Sequence, residues 1–361
     1  MKQLLWSFLA FAFVLQSCST DEVEKQLKPT GKYDKGFLIL NEGGFMKSNA
    51  SVSFLSQDLS TVENDIFSAV NTTKKLGDVA QSIAFYGDLA FIVVNNSNKI
   101  EVVNRYTFQS VNTITSGLNN PRYVAFLNGK MYVTNWGDAN NESDDFLSIH
   151  NITDGGFLGT FSVPFGPEEM VVKQNKLFIT HSGGFGSNNK VSIVQGATYL
   201  GIKTLEVGDV PKSISTSGDL IYVLCKGKTE YNDDWSVKSK TAGKLVVINP
   251  LNDSVTKTFD FPAAIQPSNG VAVSGFYYYN VGKNVYKMNL SDTTLPTSPF
   301  INGAKQEIGS LYGLYASNNN IMITDAKDYV SDGEVFVFAT NGSLIKKVSV
   351  GMVPSAVYWN E

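Results

Sequence analysis

Residues able to do chemistry are few in this sequence, and most sit between strand-like runs. There are 2 histidines in 361 residues. His181 follows Thr180 and opens into Ser182-Gly183-Gly184-Phe185-Gly186, where an imidazole could touch a ligand or act as a general base. His150 falls inside a strand pattern and reads as structural. No Gly-x-Ser-x-Gly nucleophile pattern, paired zinc ligands or phosphate loop is present. The segment from Asp138 to Asp144 offers oxygen atoms of the kind calcium accepts. It lacks the glycine and closing glutamate of an EF-hand loop and reads as a solvated acidic loop. The sequence therefore predicts neither a catalytic set nor a resident cofactor or metal.

Aromatic rings and amides make a stronger pattern. They gather in five long segments without strand alternation: 41–50, 135–145, 181–190, 226–243 and 325–332. Long irregular segments inside a compact domain usually serve function. The candidate ligand-binding residues from these segments and the short Asn95-Asn96 turn are Asn41, Glu42, Phe45, Asn95, Asn135, Trp136, His181, Phe185, Tyr231, Trp235, Asp325 and Tyr329. Rings mixed with amides and few cations suit a large, flat, mostly neutral ligand that bears amides of its own. A glycan fits as well, since rings stack on sugar faces while Asn and Asp bind hydroxyls.

Composition sets the frame. The chain is 43% hydrophobic and 17% charged with a net charge of -4, which excludes a disordered protein. With 29 Lys+Arg against 33 Asp+Glu there is no basic surplus for phosphates, so no nucleic-acid partner is expected. Two cysteines cannot build a disulfide scaffold, and Cys225, inside Ile221-Tyr222-Val223-Leu224-Cys225, reads as a buried structural thiol.

The elements that must position these residues repeat. Gly77-Asp78-Val79-Ala80, Gly208-Asp209-Val210-Pro211 and Gly351-Met352-Val353-Pro354 each lead into a short run of small and β-branched residues. Related starts place units at 80, 121, 167, 211, 267, 310 and 354, at intervals of 41 to 56 residues. Within a unit, a first strand meets a tight turn such as Asn128-Gly129, and three further strands follow. Four antiparallel strands at this period describe a β-propeller blade. The last start supplies one strand, and orphan strands 36–40, 51–55 and 62–67 wait near the other end. Joining one to three closes a ring of seven blades and leaves no open blade edge there. The fold expected is all-β, a seven-bladed β-propeller over residues 36–361, with small residues at a crowded axis.

Strand alternation sorts the loops. The tight turns share one face with both ends of the propeller domain. The five long segments share the other face with the connections between blades. The candidate residues therefore belong to a single long-loop face.

The N-terminal residues read as an address. Met1-Lys2-Gln3 precedes an apolar run from Leu4 to Leu15, too short to span a bilayer but fitting a signal peptide. Leu15-Gln16-Ser17-Cys18 resembles a bacterial lipobox, which implies cleavage after residue 17 and lipidation of Cys18. Residues 18–35 then form a polar tether carrying Asp21, Glu22 and Glu24. These acidic residues resemble the surface-export signal of Bacteroidota lipoproteins, so the expected location is the outer membrane, lipid-anchored and facing outward.

Tyr132-Val133-Thr134-Asn135 is identical to the tetrapeptide that names the YVTN-type propeller repeats. Leu40-Asn41-Glu42-Gly43-Gly44-Phe45 is similar to the opening of Bacteroidota propeller lipoproteins of that group. Some of these capture cobalamin at the cell surface and pass it to a TonB-dependent transporter. The resemblance implies corrinoid capture with a transporter partner. A glycan-binding or adhesive propeller is the second reading, and a lactonase-like enzyme, to which some YVTN-like propellers are similar, is the third.

Overall fold

The computed structural model describes residues 30–195 and 202–361. The expected signal peptide, Cys18 and the first part of the tether lie outside the described residues.

Seven antiparallel sheets stand around one axis; six have four strands and the sixth in ring order has three. In that sixth blade the outer position is held by a single bridge between Val285 and Ile301. The innermost strands are Ala80–Tyr86, Pro121–Leu127, Pro167–Lys173, Pro211–Ser217, Pro267–Val273, Leu311–Ala316 and Pro354–Asn360. They begin where the sequence repeat places them, within one residue. Prolines are tolerated there because only a terminal ladder donor is lost.

The second strand of each blade is covered on both faces by neighbouring blades. These strands accordingly read as continuous apolar runs: Leu89–Val94 is LAFIVV and Leu220–Cys225 is LIYVLC, with all but the first residue buried. Outer strands have one wet face and alternate, as in Ser254–Asp260. One orphan strand differs from expectation. Only Val62–Glu63 pairs, and Ile66–Val70 forms a single helical turn capped by Asp65, whose carboxylate accepts the Ser68 N–H. Ile66 and Phe67 are fully buried by that turn, which an extended strand would not achieve for two successive residues.

The ring closes through the first blade. Pro354–Asn360 pairs antiparallel with Gly36–Asn41, opposing Leu38 to Tyr358 and Ile39 to Val357. The Asn360 amide donates to the carbonyls of Tyr33 (2.7 Å) and Arg105 (2.8 Å) and accepts from Arg105 Nε at 2.6 Å. Tyr33 is buried against Phe54 and Phe108, so the last residues of the expected tether are docked on the ring. Gly36 opposite Asn360 places this end of the domain on the tight-turn face.

The repeated Gly-Asp-Val phrase has a specific job. Val79, Asn120, Gly166, Val210 and Val353 adopt left-handed backbone conformations with φ between 53° and 68°. Each turns the chain from the long-loop face into an inner strand. Its carbonyl then accepts the N–H of the residue just beyond the second strand: Asn95, Trp136, Ser182, Lys226 or Glu42, at 2.8 to 3.1 Å. Valine in this region is strained, so the closed ring must hold it there.

A chain ending at Val353 leaves the first blade without its inner strand. We expect such a protein to lose its cooperative thermal transition and to aggregate on a sizing column. A truncated chain that stays monomeric and keeps the parent near-UV circular dichroism would contradict the closure.

Candidate functional site

Two joined cavities open at the long-loop face. One, about 670 Å³, is the axial channel between the inner strands. The other, about 590 Å³, is a recess at its mouth lined mainly by blades one to four. Glu42, Gln81, Lys212 and Tyr312 line both.

The aromatic side of the recess is built around a buried ion pair. Arg122 reaches Glu168 through Nε–Oε2 (3.2 Å) and Nη2–Oε1 (3.1 Å), tying blade three to blade four. The guanidinium lies 3.9 Å from the Trp136 ring centroid, and the indole N–H donates to the Pro167 carbonyl at 3.0 Å. Phe185 meets Trp136 edge-on at 6.1 Å and is 77% exposed; Phe45, on the opposite lip, is 69% exposed. The result is a fixed ring with accessible Phe185 beside it and accessible Phe45 elsewhere on the same recess.

An amide rail forms the facing wall. Asn95 Nδ2 donates to Asn120 Oδ1 and, at 3.0 Å, to the Pro121 carbonyl. Asn96 Nδ2 donates to Asp78 at 2.7 Å, and Asn98 Oδ1 accepts the Asn120 N–H at 2.6 Å. On the remaining side, Tyr312 O–H donates to the Glu42 carboxylate at 3.1 and 3.3 Å. Burial pushes the Glu42 carboxyl above its usual range, while this hydrogen bond and the nearby Arg122 oppose the shift. Tyr329 packs edge-on to Tyr312 at 5.6 Å and bonds Ser310 Oγ at 2.7 Å. Deeper, Glu169 accepts the Ile214 N–H at 3.1 Å, and burial pushes its carboxyl up to about 7.

Of the residues expected from sequence, the cavities bring together Glu42, Phe45, Asn95, Trp136, Phe185 and Tyr329. Four others are scaffold. Asn41, Asn135, His181 and Asp325 all end second strands and are almost fully buried. Asn41 Nδ2 donates to Ser53 Oγ at 3.0 Å and Asn135 Nδ2 to Ser148 Oγ at 3.1 Å. His181 Nε2 pairs with Ser192 Oγ at 2.8 Å. Burial pushes His181 down to about 3, and it lines neither cavity, so it is placed for neither ligand contact nor general-base work. Asp325 accepts the N–H groups of Gly309, Ser310 and Lys327. Tyr231 and Trp235 sit on the hairpin of Thr229–Tyr231 and Val237–Lys240, outside both cavities.

The expected calcium-like loop spends its carboxylates on its own turns: Asp138 Oδ1 accepts Asn140 N–H, and Asp144 Oδ2 accepts Asp138 N–H, both at 3.0 Å. Asp145 accepts the Gly166 N–H at 2.9 Å, and burial pushes it up to about 7. Among the described residues no cluster of three His, Cys, Asp or Glu side chains could hold a metal ion.

Sequence reasoning missed Arg122, Glu169, Lys212 and Tyr312. A signal was present for three of them: Pro121-Arg122, Pro167-Glu168-Glu169 and Pro211-Lys212 put charges just after strand starts where the other blades carry the uncharged Gln81, Ser268, Tyr312 and Ser355. The inner strands do not crowd the axis; they line a channel with charged and tyrosine side chains.

The sequence matches the domain of unknown function DUF5074 over residues 35–355. The chain belongs to the DUF5074 family. No curated protein sequence matches it. Solved structures share the fold at low identity. One is a quinonprotein alcohol dehydrogenase-like protein (BT1487) from Bacteroides thetaiotaomicron, 15% identical with TM-score 0.69, covering 91% of this chain and 79% of that one. A functionally unknown protein from Desulfotomaculum acetoxidans is 12% identical with TM-score 0.63, covering 90% and 98%. Virginiamycin B lyase from Staphylococcus aureus is 11% identical with TM-score 0.53, covering 74% and 83%. At these identities the likeness concerns architecture alone. The cavity described above is therefore the basis for any function assigned to this DUF5074 member.

Glu169 gives the fold a measurable pH dependence. Its folded carboxyl titrates near 7 against an ordinary 4.5, so over that window the folded chain keeps a proton the unfolded chain releases. Stability should fall as pH rises through the window, by about 1 to 3 kcal/mol, the lower figure applying where channel water solvates the carboxylate. We expect Glu169→Gln to match the parent near pH 4.5 and to exceed its melting temperature at pH 8. A constant difference between the two proteins at every pH would contradict this assignment.

Proposed function

We propose that this DUF5074 protein captures a large, mostly neutral, amide-bearing ligand at the long-loop mouth of its channel without chemical conversion, with cobalamin or a related corrinoid as the first candidate. The observation that carries the reading is the recess itself. Accessible Phe45 and Phe185 offer faces for a flat ligand, Trp136 is locked behind them, and the amides of Asn95, Asn96 and Asn120 can exchange hydrogen bonds with ligand amides. Trp136 and the amides of the recess are held by hydrogen bonds to strand ends and junction turns, which limits the ordering entropy lost on binding. His181 is sequestered from the cavities and Cys225 is buried with its thiol pushed up, which favours binding over hydrolysis.

The rest of the reading follows from position. Lipidation at Cys18 would hold the tight-turn face toward an outer membrane. The long-loop face would then point outward, where a TonB-dependent transporter could receive the ligand. A glycan is the competing occupant, because the same rings and amides suit sugar faces and hydroxyls.

Protein from residue 30 onward, dialysed against cyanocobalamin, should retain the pigment. Phe45→Ala with Phe185→Ala should weaken retention by roughly tenfold or more, as expected for two lost aromatic contacts, while His181→Asn should leave it near the parent value. Colourless protein that instead binds a polysaccharide would replace the corrinoid reading with the glycan one.

A further inference from the structure

We propose that Lys212 and Lys226 form an oxyanion subsite in the channel mouth, taking a singly charged phosphate ester or carboxylate carried by the captured ligand.

The two lysines arrive together because Pro211 opposes Cys225 in the ladder of blade five. Each lysine directly follows one member of that pair, and the Lys226 N–H donates to the Val210 carbonyl at 2.8 Å, fixing the junction. Both side chains line the channel cavity, and Lys212 also lines the recess. Among the described residues neither ammonium has a carboxylate within 4.0 Å, although other cations in the ring do. Arg122 meets Glu168 at 3.1 Å, Lys99 meets Glu101 at 3.2 Å and Lys176 meets Asp253 at 2.7 Å.

The cavity's carboxyls do not substitute for an anion. Glu42 is engaged by the Tyr312 hydroxyl, and Glu169 by the Ile214 N–H. Burial raises both, and in both the charge of Lys212 opposes that shift, so these carboxyls feel Lys212 without pairing with it. Lys226 is pushed the other way, first by burial and then by the ammonium groups of Lys212 and Lys240. A bound anion would relieve the cost that burial and the neighbouring ammonium groups place on the Lys226 charge. Partial exclusion of water strengthens the attraction beyond that of a surface pair.

For its biological ligand this subsite rests on the capture reading; for its own existence it does not. The test therefore has two arms. In the first, protein from residue 30 onward is titrated with millimolar dimethyl phosphate or acetate against chloride at equal ionic strength, and the melting temperature is followed. A rise with an oxyanion, absent in Lys212→Gln with Lys226→Gln and retained in Lys212→Arg, supports the subsite; the more effective anion identifies its source. Equal responses from parent and double-glutamine protein overturn it.

In the second arm, cyanocobalamin is compared with dicyanocobinamide, which lacks the phosphodiester. The parent should prefer cyanocobalamin by roughly tenfold or more, and the double-glutamine protein should lose that preference, as expected for one charge-assisted contact. Oxyanion stabilisation without any corrinoid binding would sink the capture reading and leave the subsite standing. Equal corrinoid binding by both proteins, without an oxyanion response, would do the reverse.

Discussion

Everything in this molecule depends on one ladder, the pairing of Pro354–Asn360 with Gly36–Asn41. Six blades can stack in sequence order, but the first is made from both ends of the described chain. Once it forms, every blade is packed on both faces, and the apolar second strands are buried along their central residues. Without it, two blade faces and a strand edge would meet water. Asn360 reinforces the closure by filling the hydrogen-bonding needs of Tyr33 and Arg105 in the adjoining blade. Ring closure also holds the strained left-handed valines at the junctions, which aim the long-loop residues over the axis.

The division between scaffold and site explains what could be read in advance. Blade number, blade starts and the split blade followed from turn chemistry and apolar runs, because those signals are local and repeat. The same repetition misled the choice of site residues. Asn41, Asn135, His181 and Asp325 occupy one structural position, the end of the second strand. There a polar side chain satisfies neighbouring hydroxyls or backbone N–H groups. In sequence they look like polar residues opening a functional loop; in space they point into the blade. The tetrapeptide ending in Asn135 thus carries architectural information and none about a ligand.

The channel wall was harder to foresee for a different reason. Whether an inner-strand side chain faces the axis or a neighbouring blade depends on the register shifts near each strand start, at Pro121/Val124, Pro167/Met170 and Pro211/Ser213. A two-residue alternation counted from the proline cannot see such a shift. The charges after Pro121 and Pro167 were visible in the sequence, but that Arg122, Glu168 and Glu169 reach the mouth was not. Phe45, Trp136 and Phe185 line the recess on the face to which loop length alone assigns them. The candidate site is thus a composite, with exposed rings on long loops, an amide rail on junction turns, and charges on the strand starts beneath them.

The closure is tested most directly by native-state amide hydrogen exchange. The account predicts that Leu38, Ile39 and Val357 exchange as slowly as central-strand amides such as Tyr132 and Val133, through global unfolding alone. Exchange at Leu38 and Val357 that is orders of magnitude faster than at Val133 would mean the ring opens while its blades persist. The closed scaffold proposed here would then be wrong.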